Sequence, residues 1–230
     1  MPVISFASPK GGAGKTTAAI LLASELARKG AGVTLIDCDP RQWCVKWAEG
    51  GKAPAALRVL AKVDEDKIID VIEAEAAQSP FVIVDLEGTN SQLVAYAMSR
   101  SNLVIIPTQA GPMEGDSAAD AIRLVKQQER AFRVKIPFAV LMTRMSAAIR
   151  SRIEKELTEQ MASADIPVFK TQLIERNAFK SMFAYKCTLD DLPASTYKLE
   201  DAKVNTRAFA GEVLSIFKAT KAEQQKEAVA

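Results

Sequence analysis

A glycine-rich segment near the N-terminus constrains the fold of this chain more than any other feature. Residues 9–17 read Pro-Lys-Gly-Gly-Ala-Gly-Lys-Thr-Thr, between an apolar run at 3–7 and a helix-like run at 18–22. Such glycines let successive backbone N–H groups curl around an anion, and the following helix N-terminus adds positive potential. The pattern predicts a polyphosphate site in which Lys15 supplies a fixed charge and Thr16 offers a hydroxyl to Mg²⁺.

This loop departs from the usual Gly-x-x-x-x-Gly-Lys-Ser/Thr pattern. Pro9 stands where the pattern has its first glycine, and an additional lysine, Lys10, follows it. Since Lys15 is enough to neutralise a nucleotide in its own subunit, Lys10 can point outward, toward phosphates held by a neighbouring copy of the chain.

The composition predicts one sizeable α/β domain, which we place at residues 1–220, followed by a polar tail at 221–230. Of the 230 residues, 48% are apolar and 25% are charged, as in an ordinary globular protein. No segment approaches the ~20 apolar residues of a membrane span. Because no basic-then-apolar leader precedes the first strand, we expect a cytoplasmic protein.

Cysteine and histidine usage excludes two kinds of chemistry. Cys38, Cys44 and Cys187 form no Cys-x-x-Cys pair, and the chain has no histidine. Zinc sites and serine-histidine catalysis are therefore not expected.

Charge is distributed unevenly between the two halves of the chain. Residues 1–120 carry 11 Lys/Arg against 15 Asp/Glu, whereas residues 121–230 carry 19 against 13. The positive half could face an anionic polymer, or the excess could simply solvate helices, which is the commoner case for dispersed charge. Composition leaves both alternatives open.

Short apolar runs alternate with helix-length amphipathic stretches, which is typical of βαβ units. We predict an α/β fold with a doubly wound, mostly parallel sheet of about seven strands and helices on both faces. The predicted strands lie at about 2–7, 32–37, 57–62, 80–85, 102–107 and 137–142, with a short one near 166–169. Predicted helices include 15–29, one that begins near Asp64, and 199–221.

Acidic side chains follow two of these strands, at the sheet edge where ligands gather. Asp37 and Asp39 end the second strand, and Asp85 ends the apolar run 81–84 in the manner of a Walker B strand. With Thr16, these carboxylates are the predicted magnesium ligands, acting directly or through bound water. The alternative is that the aspartates initiate turns or cap helices.

Together, the loop 10–17, the segment 37–42 and the strand ending in Asp85 resemble the ParA/MinD family of deviant-Walker ATPases, over about residues 1–200. The resemblance implies ATP and Mg²⁺ as cofactors. It implies that Lys15 holds the β- and γ-phosphates and that Lys10 crosses a nucleotide-sandwich homodimer to the partner's ATP. Asp39 would position the attacking water, while Asp37 and Asp85 would order the water shell of magnesium.

The resemblance also includes residues that would contact the base of the nucleotide. Arg144, in Leu-Met-Thr-Arg, matches the arginine that lies against adenine, and residues 171–179 are similar to the loop that completes the base pocket. No Asn-Lys-x-Asp motif for guanine follows, so ATP is favoured. The implied nucleotide contacts are Lys10, Gly11, Gly12, Ala13, Gly14, Lys15, Thr16, Thr17, Arg144, Ile174, Glu175 and Arg176, with Lys10, Lys15 and Asp39 catalytic.

Two segments differ from the family pattern. After the Walker B strand the family usually has a proline-containing sequence, whereas this chain has Asp-Leu-Glu-Gly at 85–88. Glu87 therefore either faces the active site or is a surface glutamate at the start of a loop. Tyr-Lys-Cys at 185–187 stands where the family commonly has glycine, and a changed backbone there would alter the rim of the base pocket.

Several branches of the family do not match this chain. We expect no amphipathic C-terminal membrane anchor, because the sequence is polar beyond Lys218, no iron–sulfur cluster, because Cys187 has no partner cysteine at suitable spacing, and no N-terminal helix-turn-helix domain, because the phosphate loop begins at residue 9. A small partition-type ATPase remains, which as an ATP-bound dimer would bind DNA non-specifically on the nucleoid and work with a ParB-like or cargo-adaptor protein. The candidate DNA contacts are Arg150, Arg152, Lys180, Lys198, Lys203 and Arg207.

Two further functions stay open. One is a VirC-like accessory ATPase that recruits a relaxosome for conjugative DNA transfer, which the unusual Asp-Leu-Glu-Gly segment favours modestly. The other, weaker one is a metabolic P-loop kinase with a small phosphate acceptor. ATP turnover that needs no added acceptor would exclude the kinase.

Overall fold

The fold is a three-layer α/β arrangement around one parallel sheet. The computed structural model describes residues 1–61, 63–88, 91–146 and 152–227. The strands are β1 (Val3–Phe6), β2 (Val33–Asp37), β3 (Leu57–Ala61), β4 (Phe81–Asp85), β5 (Leu103–Thr108), β6 (Phe138–Met145) and β7 (Leu173–Ile174). The helices are α1 (Lys15–Arg28), α2 (Trp43–Ala48), α3 (Ile68–Gln78), α4 (Gln92–Ser99), α5 (Pro112–Phe132), α6 (Arg152–Ser163), α7 (Asn177–Ala184) and α8 (Leu199–Glu227).

The seven strands form one sheet in the order β3-β2-β4-β1-β5-β6-β7. Each neighbouring pair of strands is parallel. The predicted doubly wound, seven-stranded fold is therefore confirmed, and the first six predicted strands coincide closely with the observed ones.

The seventh strand was predicted wrongly at 166–169. Val168 forms only an isolated parallel bridge with Val140, and the strand proper is Leu173–Ile174. Pro167 has no N–H for a ladder. The N–H groups of Lys170 and Thr171 donate instead to the Glu212 carboxylate, at 2.7 and 2.8 Å, so the ladder cannot continue there.

Two helix boundaries also differ from the sequence expectation. Residues 64–67 form a turn, in which the Lys67 N–H donates to the Asp64 carbonyl at 3.0 Å, and α3 begins only at Ile68. Helix α8 starts at Leu199 as predicted but continues to Glu227.

Alternate residues of each central strand face opposite layers. Ile4, Phe6 and Ile83 pack with α1, α2, α7 and α8 on one face. Val3 and Val82 pack with α3, α4, α5 and α6 on the other. Both faces of the sheet are thus covered, as parallel sheets require.

The apolar face of α8 is part of this core. Phe209 and Val213 are fully buried, and Ile216 and Phe217 pack against the same cluster. Within the described ranges, no helix has the length and apolar content that crossing a bilayer demands.

Strand order brings three loops together at one edge. β4 lies between β2 and β1, so Asp37 pairs in register with Asp85, and Phe6 pairs with Asp85 on the other side. The loop that follows β1 therefore begins beside both aspartates.

Removing the side chain of Phe209 should destabilise the domain strongly. Phe209 is fully buried and meets the ring of Phe169 edge-on, with centroids 5.7 Å apart. We expect Phe209→Ala to lower the free energy of unfolding by about 3–5 kcal/mol, because a large cavity remains. Tyr197→Ala, at a residue that is 69% exposed, is the control and should change it by less than about 0.5 kcal/mol. Urea unfolding followed by circular dichroism measures both, and equal losses would contradict the assignment of α8 to the core.

Candidate functional site

The loop between β1 and α1 has the backbone conformation of an anion cradle. Gly12 and Gly14 adopt left-handed φ angles of 80° and 94°, which glycine reaches without steric cost. Gly14 precedes the first turn of α1, so the free N–H groups of that turn face the loop. From β6, the Thr143 hydroxyl donates to the Ala13 carbonyl at 2.7 Å and thereby anchors the loop.

Lys15 is held beneath the loop before any nucleotide is present. Its side chain is buried, and its Nζ donates to the Ser8 carbonyl at 3.2 Å. Burial lowers the pKa of Lys15, while the charges of Asp85 and Asp39 act in the opposite direction. The cation is therefore fixed in place.

Asp37 has its oxygens occupied by backbone N–H groups. Its Oδ2 accepts from Cys44 at 2.8 Å and Val45 at 3.2 Å, and its Oδ1 accepts from Asp39 at 3.2 Å. Asp37 thus caps α2, which is the alternative role that the sequence left open. Burial raises the pKa of Asp37, and these hydrogen bonds oppose the rise.

Asp85 is buried with one oxygen unpaired. Its Oδ2 accepts from the Cys44 thiol at 3.5 Å, whereas its Oδ1 has no hydrogen-bond partner among the described residues. Burial raises the pKa of Asp85 to about 7, although the nearby Thr16 hydroxyl, the Cys44 thiol and the Lys15 charge oppose the shift. Ligand atoms of Asp37, Cys44 and Asp85 lie within 4.8 Å of one another, a spacing that suits a metal ion.

Asp39 reaches further into the open cleft than Asp37 does. It is half-buried, and its Oδ1 accepts from the Arg41 N–H at 2.8 Å, which closes a turn after Pro40. Asp39 lines the cleft together with Glu87 and Gly88. Glu87 also borders a second cleft beside Ser8 and Pro9, so both alternatives for its role stay open.

A cleft of about 750 Å³ collects most of the predicted nucleotide contacts. A volume of this size suits a cofactor-sized ligand. The predicted residues that line it are Gly11, Gly12, Ala13, Gly14, Lys15, Thr16, Thr17, Asp39, Arg144, Ile174, Glu175 and Arg176. Lys10, Asp37 and Asp85 do not line it.

Sequence reasoning missed several residues of the same cleft. Trp43, Thr143 and Phe183 line it, as does Lys180, which was a candidate DNA contact. Phe179, in the segment 171–179 that resembles the base-pocket loop, lines it as well. The spacing of Phe179, Lys180 and Phe183 places them on one face of α7, a helical pattern that could have marked this wall.

The segment 185–187, where glycine is common in the family, keeps a glycine-like backbone. Lys186 adopts a left-handed φ of 47°. Its carbonyl lies so close to Gly50 that a Cβ there would be 2.2 Å away, and its Nζ pairs with Glu49 at 3.2 Å. Neighbouring residues therefore stabilise a conformation that lysine rarely adopts.

Lys10 lies outside the cleft and has a partner within its own chain. Its Nζ donates to Glu114, in the first turn of α5, and both side chains are partly exposed. The Lys10 ammonium holds the pKa of Glu114 below its usual range. The Glu114 carboxylate folds over Gly111, where a Cβ would lie 2.2 Å from Oε2. A contact across 104 positions left no sequence signal.

Three of the six candidate DNA contacts already pair with acids. Arg152 pairs with Glu156 at 2.7 Å and Lys180 with Glu175 at 2.8 Å. Lys203 pairs with Asp190 and Glu200, at 3.0 and 3.4 Å, and is only 16% exposed. Lys198 and Arg207 are exposed, and Arg150 lies outside the described residues.

Comparisons with known proteins agree with this geometry. The sequence model of the VirC1 protein family matches residues 1–192. Protein ParA of Rhizobium radiobacter is 35% identical over 218 residues, which are 95% of this chain and 97% of the relative. Protein virC1 of the same organism is 30% identical over 187 residues, 79% of this chain and 80% of the relative.

Solved structures show the same fold at low sequence identity. The ATP complex of an McdA variant from Cyanothece superposes with a TM-score of 0.72, at 16% identity, covering 93% of this chain and 96% of that one. MinD of Aquifex aeolicus has a TM-score of 0.72, at 18% identity, covering 94% and 98%. The chain belongs to the VirC1 family, among the P-loop ATPases of the ParA/MinD type.

Proposed function

We propose that this protein is a magnesium-dependent ATPase that acts as a dimerising switch. In this proposal, ATP makes it a homodimer that binds DNA non-specifically, and hydrolysis releases it, so that plasmid, chromosome or protein cargo is partitioned or positioned. One observation carries the proposal: a phosphate loop with a buried lysine faces Asp39 in the cleft, while a second lysine, Lys10, is held outside it. Members of the family are ATPases.

Mg²⁺ fits a set of oxygen donors that lie in the cleft and directly behind its lining. The buried, unpaired Oδ1 of Asp85 is the kind of hard oxygen that Mg²⁺ prefers, and the Thr16 hydroxyl lies nearby. Asp85, Thr16 and Asp39 would hold the ion through oxygen and bound water, with Asp37 orienting the segment between them. When bound, the ion neutralises charge that develops on the phosphates.

Hydrolysis needs no strong base in this proposal. Phosphoryl transfer to water depends on positioning and charge neutralisation, which Lys15 and the loop N–H groups supply. Asp39 accepts a hydrogen bond from the attacking water and aligns it. The turn that Arg41 closes on Asp39 limits the rotation of its carboxylate.

Dimerisation requires Lys10 to exchange partners. In the isolated chain its ammonium is paired with Glu114. In the proposed dimer it pairs with phosphates of the neighbouring subunit's ATP, which carry more negative charge than one carboxylate. The exchange couples nucleotide occupancy to subunit association.

A second function has its own support. The match of the VirC1 family model over residues 1–192 favours an accessory ATPase that recruits a relaxosome for DNA transfer. Neighbouring transfer genes would support this function. A neighbouring gene for a basic, DNA-binding partner of the ParB or cargo-adaptor kind would support partition on the nucleoid.

Lys15→Ala and Asp39→Ala should separate binding from hydrolysis. We expect Lys15→Ala to abolish ATP binding, because the loop loses its fixed cation. Asp39→Ala should still bind ATP and dimerise but hydrolyse it poorly, since the attacking water is no longer aligned. Calorimetric ATP titration and phosphate release measure the two steps. Normal turnover by Asp39→Ala would contradict its assigned role.

Lys10→Ala and Glu114→Gln should shift dimerisation in opposite directions. Lys10→Ala should bind ATP yet stay monomeric, because the cross-subunit cation is gone. Glu114→Gln should dimerise with ATP at a lower protein concentration than the natural chain, because Lys10 no longer has to leave a carboxylate. Light scattering after gel filtration measures both, with Glu156→Gln, at a glutamate outside the cleft, as the control. Normal dimerisation by Lys10→Ala would refute the switch.

Magnesium affinity should rise with pH through the titration of Asp85. The pKa of Asp85 is raised to about 7, so a proton competes with Mg²⁺ below that pH and not above it. Between about pH 6 and the pKa, we expect the Mg²⁺ affinity to rise by up to about tenfold per pH unit. Toward about pH 8 the affinity should level off, because Asp85 is then ionised. Calorimetric Mg²⁺ titration with a non-hydrolysable ATP analogue measures it, corrected for the free analogue. The dependence should vanish in Asp85→Asn, and its persistence there would assign it to another group.

A further inference from the structure

Exposed cations form a stripe along the second half of α5. Arg123, Lys126 and Arg130 recur at intervals of three or four residues, which places them on one helical face, and Arg133 and Lys135 follow the end of the helix. All five are exposed. We name these five residues the basic stripe. Residues 121–135 contain these five Lys/Arg against a single acid, Glu129.

Charge in the stripe is only partly neutralised. Arg123 pairs with Asp120, and Lys126 pairs with Glu129 at 2.8 Å. In the part of the chain that the structure describes, Arg130, Arg133 and Lys135 have no carboxylate within ion-pair distance.

Three cations outside the stripe, Arg152, Lys180 and Lys203, already have acidic partners. Among the described residues, three cations without a carboxylate in ion-pair contact therefore lie close together at the end of α5, although the charge of Lys135 is near enough to Glu129 to help lower the pKa of that carboxyl.

Arg133 occupies a position where the backbone favours glycine. It follows the last residue of α5 with a left-handed φ of 54°, and the next N–H, from Val134, donates to the Glu129 carbonyl at 3.2 Å. Glycine or asparagine ends helices in this conformation most readily. An arginine here terminates the helix less well than glycine would, so its charge is the feature to explain.

The geometry suits a nucleic-acid backbone better than a membrane surface. The opposite face of α5 packs Ala118, Ala121 and Val125 into the core, so the helix has no continuous apolar face that could enter lipid. Phe132 and Val134, at the end of the stripe, leave large apolar side chains about one third exposed. Phe132, at the helix end, rests edge-on against Tyr96. From Arg123 to Arg133 the stripe spans about 15 Å, the rise of about four base pairs. Guanidinium groups also bind phosphate in a bidentate manner.

We infer that the basic stripe is the surface through which this protein contacts the phosphates of duplex DNA. The inference rests on the proposed function, because it assigns a location to its non-specific DNA binding. Arg130, Arg133 and Lys135 contribute most, since they give up no ion pair on binding. The stripe is distinct from the C-terminal cations on α8 that the sequence suggested.

A matched pair of triple variants tests the inference. Arg130→Gln/Arg133→Gln/Lys135→Gln removes three unpaired stripe charges, and Arg152→Gln/Lys198→Gln/Arg207→Gln removes three charges elsewhere. Binding of a random-sequence duplex with ATP is measured at several salt concentrations. Each lost phosphate contact lowers the slope of log affinity against log salt by about 0.9. We expect the stripe variant to lose about two to three units of slope and the control variant to keep its slope.

The outcomes separate the inference from the proposed function. If the natural chain binds DNA and the stripe variant keeps its slope, the inference is wrong while the proposed function stands. If the natural chain binds no DNA with ATP, the DNA step of the proposed function fails and the inference falls with it. Stripe-dependent binding to phosphatidylglycerol vesicles but not to DNA would assign the stripe to anionic lipid and overturn the inference.

A single variant distinguishes a binding role from a structural one. Arg133→Gly suits the left-handed backbone, so urea unfolding should show equal or greater stability than the natural chain. The same variant should lose about one unit of salt slope in DNA binding. Loss of stability together with an unchanged slope would show that Arg133 serves the helix end only.

Discussion

Parallel pairing of β2 and β4 brings Asp37 and Asp85 side by side beneath the glycine-rich loop. The two carboxylates then take different roles because their surroundings differ. Asp37 is satisfied by the first N–H groups of α2, whereas Asp85 keeps a buried oxygen without a partner among the described residues. An unpaired buried carboxylate oxygen is costly unless a ligand satisfies it. The pairing of the strands therefore leaves the Asp85 carboxylate incompletely hydrogen-bonded, at the point where a bound cation would satisfy it.

Lys15 is the counterpart of this acid. Burial lowers the pKa of Lys15 and raises that of Asp85, so burial disfavours the charged form of both groups. The opposite charges of Lys15 and Asp85 partly stabilise each other. Each group can still form hydrogen bonds that the described residues do not supply. Binding of a magnesium nucleotide would supply an anion to the lysine and a cation to the aspartate. Preorganisation of this kind is what phosphoryl transfer requires, because the groups need not reorganise during the reaction.

Sequence predicted those parts of the molecule that depend on local pattern. Six strands, the anion loop and the acids at strand ends follow from apolar runs and from glycine spacing. The seventh strand could not be predicted, since Glu212 of α8 takes the N–H groups that would extend the ladder at 166–169. The pairing of Lys10 with Glu114 also depends on tertiary packing. The predictions that failed therefore concern contacts between residues far apart in the chain, not the chemistry of the site residues.

Helix α5 connects the two regions of unusual charge. Its first turn holds Glu114 against Lys10, and its end carries the basic stripe. The helix macrodipole favours acids at the start and cations at the end of a helix, which would account for Glu114 and Arg130 without any partner molecule. That effect is confined to the first and last turns, so it does not account for Arg123 and Lys126. Arg133 and Lys135 lie beyond the last helical residue, Phe132, and Arg133 holds an unfavourable backbone angle. The helix dipole and the ion pairs of Arg123 with Asp120 and Lys126 with Glu129 thus account for part of the charge on α5. The proposed contact with DNA phosphates accounts for the remainder, at Arg133 and Lys135.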